Sequence, residues 1–390
     1  MIPLTRMKRN RRVCPFDNVI EVDVGCILSR VQDAAAEADR LFPLSLAAEG
    51  SCTIDGNLTT NAGGTAVLRY GNARHLCLGL EVVLSSGEIW HGMHSLRKDN
   101  SGYDLRGFLY RFGRHAWNYH WCGATPVLAA QIFQTAMVAV PTPASAVTLL
   151  EQIRSTFEDQ LTTFEMMSRS SMRIVLEHRP ALKKPLQTDS GWYVLIELSE
   201  FHTTIDAAAL LEDLLASAME DGVVTDATIA ASEQHRANFW SLREGISEAQ
   251  GALGPSIKHD IAVPVARIPA FLAQADGEIL SRWPNLRLIA FGHMGDGNIH
   301  YNLSPPPGMP KDAFVSHQSA INAVAHDAVS AHDGPCRRST GWDSYGIWRQ
   351  RDTRTGRTAD DECHQERAGP SGIDEPRQAH WQCTDRWMTA

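Results

Sequence analysis

The chain has 390 residues, a net charge of −9 and 21% charged side chains. That length suffices for two domains with cores of their own, and the acidic balance leaves no electrostatic footprint for nucleic acid. No apolar run is long enough to span a bilayer.

The N-terminus is basic, with Arg6, Lys8, Arg9, Arg11 and Arg12. Val13 to Asp23 is mixed and charged, so no apolar signal segment follows and a cytoplasmic location is expected. None of the eight cysteines forms a C-x-x-C pair. A zinc ribbon or redox dithiol is therefore not indicated, and a reducing compartment fits. Residues 19–25 alternate as a strand, and residues 28–40 place Leu28, Val31, Ala35 and Ala38 on one helical face. Gly56 to Thr65 then holds three glycines, two asparagines and three threonines. Glycine permits close approach of the backbone, while Asn and Thr supply short donors and acceptors. The stretch reads as a loop that wraps something polar, although an ordinary surface loop has the same composition.

Leu76 to Leu84 reads as a strand, and Gly87-Glu88 turns it into Ile89-Trp90 as a hairpin. Ala136 to Val140 opens a new strand, and Pro141 to Ser145 caps a helix running to about residue 157. A strand over Gly191 to Leu198 and a helix over Ala207 to Glu220 continue a second α+β unit that starts near residue 134. His75, His91 and His94 read as surface positions and Met166-Met167 as core. At residue 334 the apolar periodicity stops, so the tail is expected to be poorly structured.

Two constellations carry chemistry. Gly292-His293-Met294-Gly295-Asp296-Gly297-Asn298-Ile299-His300 marks a tight turn with a Pro-rich exit at Pro305 to Pro307. Neutral imidazoles across such a turn suit zinc or a similar ion, which wants three protein ligands and an open position. A structural His pair has the same spacing. Arg243 and Ser247 are four apart on one helical face, and Lys258 follows. An Arg fork with a Lys point charge suits a carboxylate, and a solvated helix with a stray Lys is the alternative.

A long ordered text carries a family resemblance. It runs through Leu41 to Leu46 (including Pro43), Gly50 to Ile54 (including Ser51 and Thr53), the Gly56–Thr65 stretch, Arg69 to Asn72, Gly79 to Leu84 and Leu96 to Leu105. It resembles the FAD-binding domain of vanillyl-alcohol-oxidase-type flavoproteins, in the branch of D-2-hydroxyglutarate dehydrogenase, D-lactate dehydrogenase and the glycolate oxidase flavin subunit. The resemblance implies an α+β fold with an antiparallel sheet in the substrate domain, and it implies FAD. It places Pro43, Ser51, Thr53, Gly56, Asn57, Asn61, Gly63 and Gly64 at the cofactor. By the same resemblance His293 and His300 bind a divalent metal, expected to be zinc. Arg243, Ser247, Lys258 and Asn298 contact a small 2-hydroxyacid, with Ser247 standing where the family usually has Thr. A separate electron acceptor and a homodimer complete the expected associations. The expected division is a partial FAD-binding domain over 1–133, a substrate domain over 134–333 and an aberrant tail over 334–390.

The chain departs from the family in three places. Where the family carries a Gly-Ser-Glu-Gly-Thr-Leu-Gly-Ile-Ile-Thr segment, this chain reads Tyr110 to Cys122. Synonymous codons can be chosen for those residues that, shifted by one base, spell that segment. With codons so chosen, Gly334 to Trp342 shifted by two bases can read Ser-Val-Ser-Ala-Glu-His-Gly-Met-Gly, and Asp361 to Gln378 shifted by one can likewise read as family text. Six of the ten Trp and four of the eight Cys fall in 110–132 and 334–390, as out-of-frame text would have it. The family's first subdomain, with its pyrophosphate loop, is also expected to be missing, which predicts weak flavin retention. The Glu and general-base His of the Ala-Glu-His-Gly motif belong at 337–341, so the catalytic base is not assigned. The expected function is an impaired FAD-dependent 2-hydroxyacid dehydrogenase. The alternative is a catalytically dead remnant that binds only metal or an anion.

Overall fold

Short alternating strands and capped helices give two antiparallel sheets in the computed structural model. It describes residue 4 and residues 6–335, apart from 85, 95, 97–101, 108, 110–117, 125, 129, 131 and 201–205. The Arg97–Ser101 motif, most of the 110–122 segment and the tail from residue 336 lie outside the described residues. Among the described residues no helix is long and apolar enough to cross a membrane.

The first sheet uses β1 (Asn10–Cys14), β2 (Val19–Asp23), β4 (Cys77–Val83), β5 (Ile89–Gly92) and β6 (Asn118–Ala124), in the order β1-β2-β6-β4-β5. Two short strands, β3 (Arg40–Leu41) and β7 (Val127–Leu128), pair beside it. The hairpin expected from Gly87-Glu88 is present, with Leu80 opposite Gly92 and Val83 opposite Ile89. Ile20, Val22, Leu80 and Val82 turn inward against Leu28, Val31 and Ala35 of the Leu28–Ala36 helix, whose apolar spacing faces the sheet. Within the 110–132 segment, Asn118 to Ala124 forms the central strand of this sheet, paired with both β2 and β4.

The second sheet has seven strands. They are β8 (Ile132–Val140), β9 (Leu161–Ser168), β10 (Trp192–Glu200), β11 (Asp226–Ile229), β12 (Ile257–Ala262), β13 (Arg287–His293) and β14 (Asn298–Ser304). Their order is β11-β8-β10-β9-β13-β14-β12, antiparallel throughout. Helices cover both faces, so β8, β9 and β10 read as continuous apolar runs. One face buries Val138, Phe164, Met166 and Ile196 against the helices Pro143–Phe157, Ala207–Glu220 and Ile268–Arg282. The other buries Met137, Met167, Ile289 and Phe291 against Arg169–His178 and Glu233–Ala252. The Pro143–Phe157 helix starts where its sequence says. Thr142 Oγ1 accepts from the Ser145 N–H at 3.1 Å, and Pro143 stands where a missing N–H costs nothing. Met166 and Met167 are core, as expected.

Candidate active site

Strand register builds the site. β9, β13, β14 and β12 are neighbours, and residues directly opposite one another share a face. Glu165 stands opposite His293, which stands opposite Asn298. In the next row Met167, Phe291, His300 and Asp260 line up. Beyond them Ile289 pairs with Asn302 and Asn302 with Lys258. A tight turn makes this alignment possible: Met294–Asp296 is a single 3-10 turn, and Gly297 takes φ 84°, a left-handed conformation that favours glycine. The Glu233–Ala252 helix lies over the same face. Ser232 caps it by accepting from the His235 N–H at 3.2 Å, and the helix delivers Arg243 and Ser247. An open cleft of about 260 Å³ is lined by Ser247, Lys258, His259, Asp260, Phe291, His300 and Asn302.

The structure thus brings together Arg243, Ser247, Lys258, Asn298, His293 and His300. It adds two acids that sequence reasoning missed. Glu165 is 1% exposed. Its Oε2 accepts from Arg243 Nε at 2.7 Å, and its Oε1 takes the Nδ1–H of His293 in a very short hydrogen bond. Asp260 Oδ1 accepts from Asn298 Nδ2 at 2.8 Å and stands 3.6 Å from His300 Nδ1. A signal for Glu165 existed: it is the lone carboxylate in the otherwise uncharged run Leu161–Ser168, where a buried charge demands partners. Asp260 gave none, because it alternates with buried residues as any solvent-facing strand position does.

The charges follow from these contacts. Burial pushes the Glu165 carboxyl up, but the charges and hydrogen bonds of Arg243 and His293 outweigh it and bring its pKa to about 2. Burial presses the His293 imidazole down, and the Glu165 carboxylate more than offsets this, so His293 lies above the ordinary His value. His300 falls to about 4, chiefly by burial and by the cations Arg243 and His293 facing it, with Asp260 opposing. The His293 and His300 ring centroids are 5.7 Å apart at 74°. Two imidazoles that share one ion at about 2 Å per nitrogen stand roughly 5 Å apart, centre to centre, so the pair fits a metal. Glu165 on Nδ1 leaves the Nε2 of His293 as the donor nitrogen. Among the described residues no group of three His, Cys, Asp or Glu side chains is gathered for an ion.

The glycine-rich stretch is more ordered than its composition implies. Expected as a loop, its first half is the helix Ile54–Thr60, because Thr53 Oγ1 accepts from the Gly56 N–H at 3.4 Å and Asp55 sits in the first turn. Asn61 ends the helix at φ 51°, and its Oδ1 accepts from the Arg74 N–H at 3.2 Å. Thr53 and Asn61 therefore work within the chain. Ser51 donates to the Ala48 carbonyl at 3.2 Å, and Pro43 is buried between Phe42 and Leu44. At Gly64 a Cβ would stand 2.0 Å from the Ser45 carbonyl oxygen, so only glycine fits. Gly63 lies beside Asn72. Asn57 Nδ2, the Tyr70 hydroxyl and Asn72 Oδ1 are buried without a partner among the described residues. Of these orphaned atoms, Asn72 Oδ1 lies beside Gly63, where it fits a polar ligand, because buried polar groups otherwise find partners. This stretch is docked on the second sheet: Thr163 donates to the Thr65 carbonyl at 2.9 Å, and Arg69 donates to Ser199. A crevice runs between Gly64, Thr65 and Leu68 on one side and Phe164, Glu165, His293 and Asp296 on the other. His75 and His94 add nothing to the site, and His91 is an exposed residue bonded to Glu81 at 2.6 Å.

Residues 1–92 match a family model described as FAD binding domain, and residues 130–337 match FAD linked oxidases, C-terminal domain. The chain belongs to the FAD-linked oxidase family. It is 32% identical to a D-2-hydroxyglutarate dehydrogenase of Xanthomonas citri pv. viticola over 86% of this chain and 69% of that one. It is 33% identical to a D-2-hydroxyglutarate dehydrogenase of Stutzerimonas stutzeri, over 82% of this chain and 68% of that one. The mitochondrial D-2-hydroxyglutarate dehydrogenase of Arabidopsis thaliana is 32% identical, with 75% of this chain and 52% of that one covered. The chain thus spans about two thirds of these bacterial relatives and about half of the plant one. Alkyldihydroxyacetonephosphate synthase shares its fold at a TM-score of 0.66 and 13% identity, over 86% of this chain and 62% of that one. p-Cresol methylhydroxylase does so at 0.63 and 14%, over 85% and 70%. The FAD-linked oxidase assignment makes FAD the cofactor and places the chain among flavin oxidoreductases of the 2-hydroxyacid dehydrogenase kind.

Proposed function

We propose that this site grips a D-2-hydroxyacid for oxidation to the 2-oxoacid, with zinc held by His293 and His300. The carrying observation is the single sheet face that gathers His293, His300, Asn298 and Lys258 under Arg243. Arg243 spends its Nε on Glu165, which leaves the outer guanidinium nitrogens for a substrate carboxylate. Lys258 and Ser247 line the same cleft and add a charge and a hydroxyl to that grip. Asn298, fixed by Asp260, offers its amide beside the two imidazoles. A bound divalent ion would polarise the substrate hydroxyl, and FAD, against the Gly63-Gly64 turn, would take the hydride. Free thiols at Cys14, Cys26, Cys52 and Cys77 fit a reducing compartment such as the cytoplasm, and the electrons would pass from the flavin to a separate acceptor.

A second reading is binding of acid and metal without turnover. It is favoured by residues 337–341, which are Arg-Arg-Ser-Thr-Gly where the resemblance puts the third ligand and the general base. One experiment separates the two: the FAD- and zinc-supplemented chain is mixed with D-2-hydroxyglutarate or D-lactate, and flavin bleaching and 2-oxoglutarate binding are followed. Bleaching supports the dehydrogenase reading. Binding without bleaching supports the second. Binding that Arg243→Ala leaves unchanged overturns both.

A further inference from the structure

Glu165 is nearly fully buried and lines the narrow crevice beside Gly64 rather than the open cleft, yet both halves of the site end on it. Its strand, β9, lies between β10 and β13, so the carboxylate rises from the middle of the sheet. One oxygen faces the His293 Nδ1–H and the other faces Arg243 Nε, and those two donors account for both oxygens. Each contact fixes the orientation of a group that meets the substrate side. In neutral His293, the form that binds a metal, a proton held at Nδ1 leaves the lone pair on Nε2. A guanidinium anchored through Nε, with Cζ 4.8 Å over the Phe291 ring, has its plane set and its outer nitrogens spare. Phe291 in turn lies against His300, with centroids 4.9 Å apart.

We infer that Glu165 is the positioning residue of this site, aiming the metal-binding imidazole and the carboxylate-binding guanidinium with a single side chain. The inference rests on the proposed function for what the two groups bind. The geometry makes one demand that a merely structural acid would not: the residue must accept two hydrogen bonds at once. Glutamine has one acceptor oxygen, so it serves one donor and turns its own N–H₂ against the other.

The test uses the full chain and reads two affinities separately: zinc by chelator competition, and 2-oxoglutarate on the metal-free protein by calorimetry. Glu165→Ala should weaken both, each by about 10–100-fold, the range for losing a partner behind a ligand. Glu165→Gln should fold and weaken one of the two by about tenfold or more while sparing the other. Should Glu165→Ala fail to fold, the glutamine variant carries the test alone. His293→Ala should lose zinc only, and Arg243→Lys should lose the acid only. Glu165 variants that melt lower but bind both probes like the parent would overturn the inference. If His293→Ala kept its zinc, the metal reading would fall and take the imidazole half of the inference with it; acid binding would still decide the Arg243 half.

Discussion

Arg243 and Glu165 are 9% and 1% exposed at their side chains, so each is the other's main compensation for lost water. Removing one partner of such a pair costs about 3–5 kcal/mol. His293 stays on the carboxylate, so Arg243→Ala should fall near the lower end, read as a shift in the urea midpoint at unchanged slope. A loss under about 1 kcal/mol would mean that water replaces the guanidinium and the pair is not buried as described. His259, on the strand that carries Lys258, gives the residue-scale pH prediction. It is 2% exposed, and its nitrogens face the Tyr301 carbonyl and Asn322 Oδ1 at 2.9 and 3.0 Å. Burial presses its pKa below 6.5 more strongly than those two oxygens raise it. The unfolded chain therefore takes up a proton below about pH 6.5 that the folded one resists. The stability due to neutral His259 is present above that pH and is lost as the pH falls through it. His259→Gln should flatten the melting temperature between pH 7 and 5 relative to the parent; an identical slope would show that His259 titrates normally.

Elements were legible where local chemistry sets them. Thr142-Pro143 announces its helix, and the Gly87 turn announces its hairpin, because cap and turn are decided within a few residues. The Ala207–Glu220 helix matches its apolar spacing at both ends. The Gly56–Thr65 stretch misled because glycine and asparagine weigh against helix by propensity, whereas the Thr53 cap and burial of Ile54 and Leu58 win locally. Long-range register was not legible. Nothing in Leu161–Ser168 says that Glu165 will stand opposite His293, although the two imidazoles and Arg243 could be read from their own surroundings. Gly64 tests the element directly. Its added Cβ would meet the Ser45 carbonyl, so Gly64→Ala must displace the turn that follows the helix. Flavin carried or rebound by the chain should fall by tenfold or more in affinity, measured by fluorescence quenching, while zinc affinity at the second sheet holds. Unchanged flavin binding would remove this turn from the cofactor's cradle.

For the whole molecule, the question is what would complete the proposed metal set at His293 and His300. Gly334 packs against the end of β12, where a Cβ would stand 2.5 Å from the Ala262 carbonyl and 2.8 Å from Val263. Ala262 is the strand partner of Asn298. The described chain therefore ends beside the site, at the edge of the second sheet. In sequence, positions 337–339 carry Arg337, Arg338 and Ser339, none of which supplies a carboxylate or an imidazole. Read two bases out of frame, the same stretch can spell Ala-Glu-His-Gly under a suitable choice of codons, which would add an acid to the two imidazoles and a second His next to it. We predict that the coding DNA carries a single-base insertion or deletion near codons 333–334, and another near 109–110 that hides Gly-Ser-Glu-Gly-Thr. Restoring the frame at 333–334 should tighten zinc binding by orders of magnitude, since affinity follows ligand count and geometry. Acid binding at Arg243, whose proposed partners Ser247, Lys258 and Asn298 all precede the shifted stretch, should change little. Coding DNA whose shifted frames spell nothing of the kind would refute this, as would a restored chain that holds zinc no better than the parent.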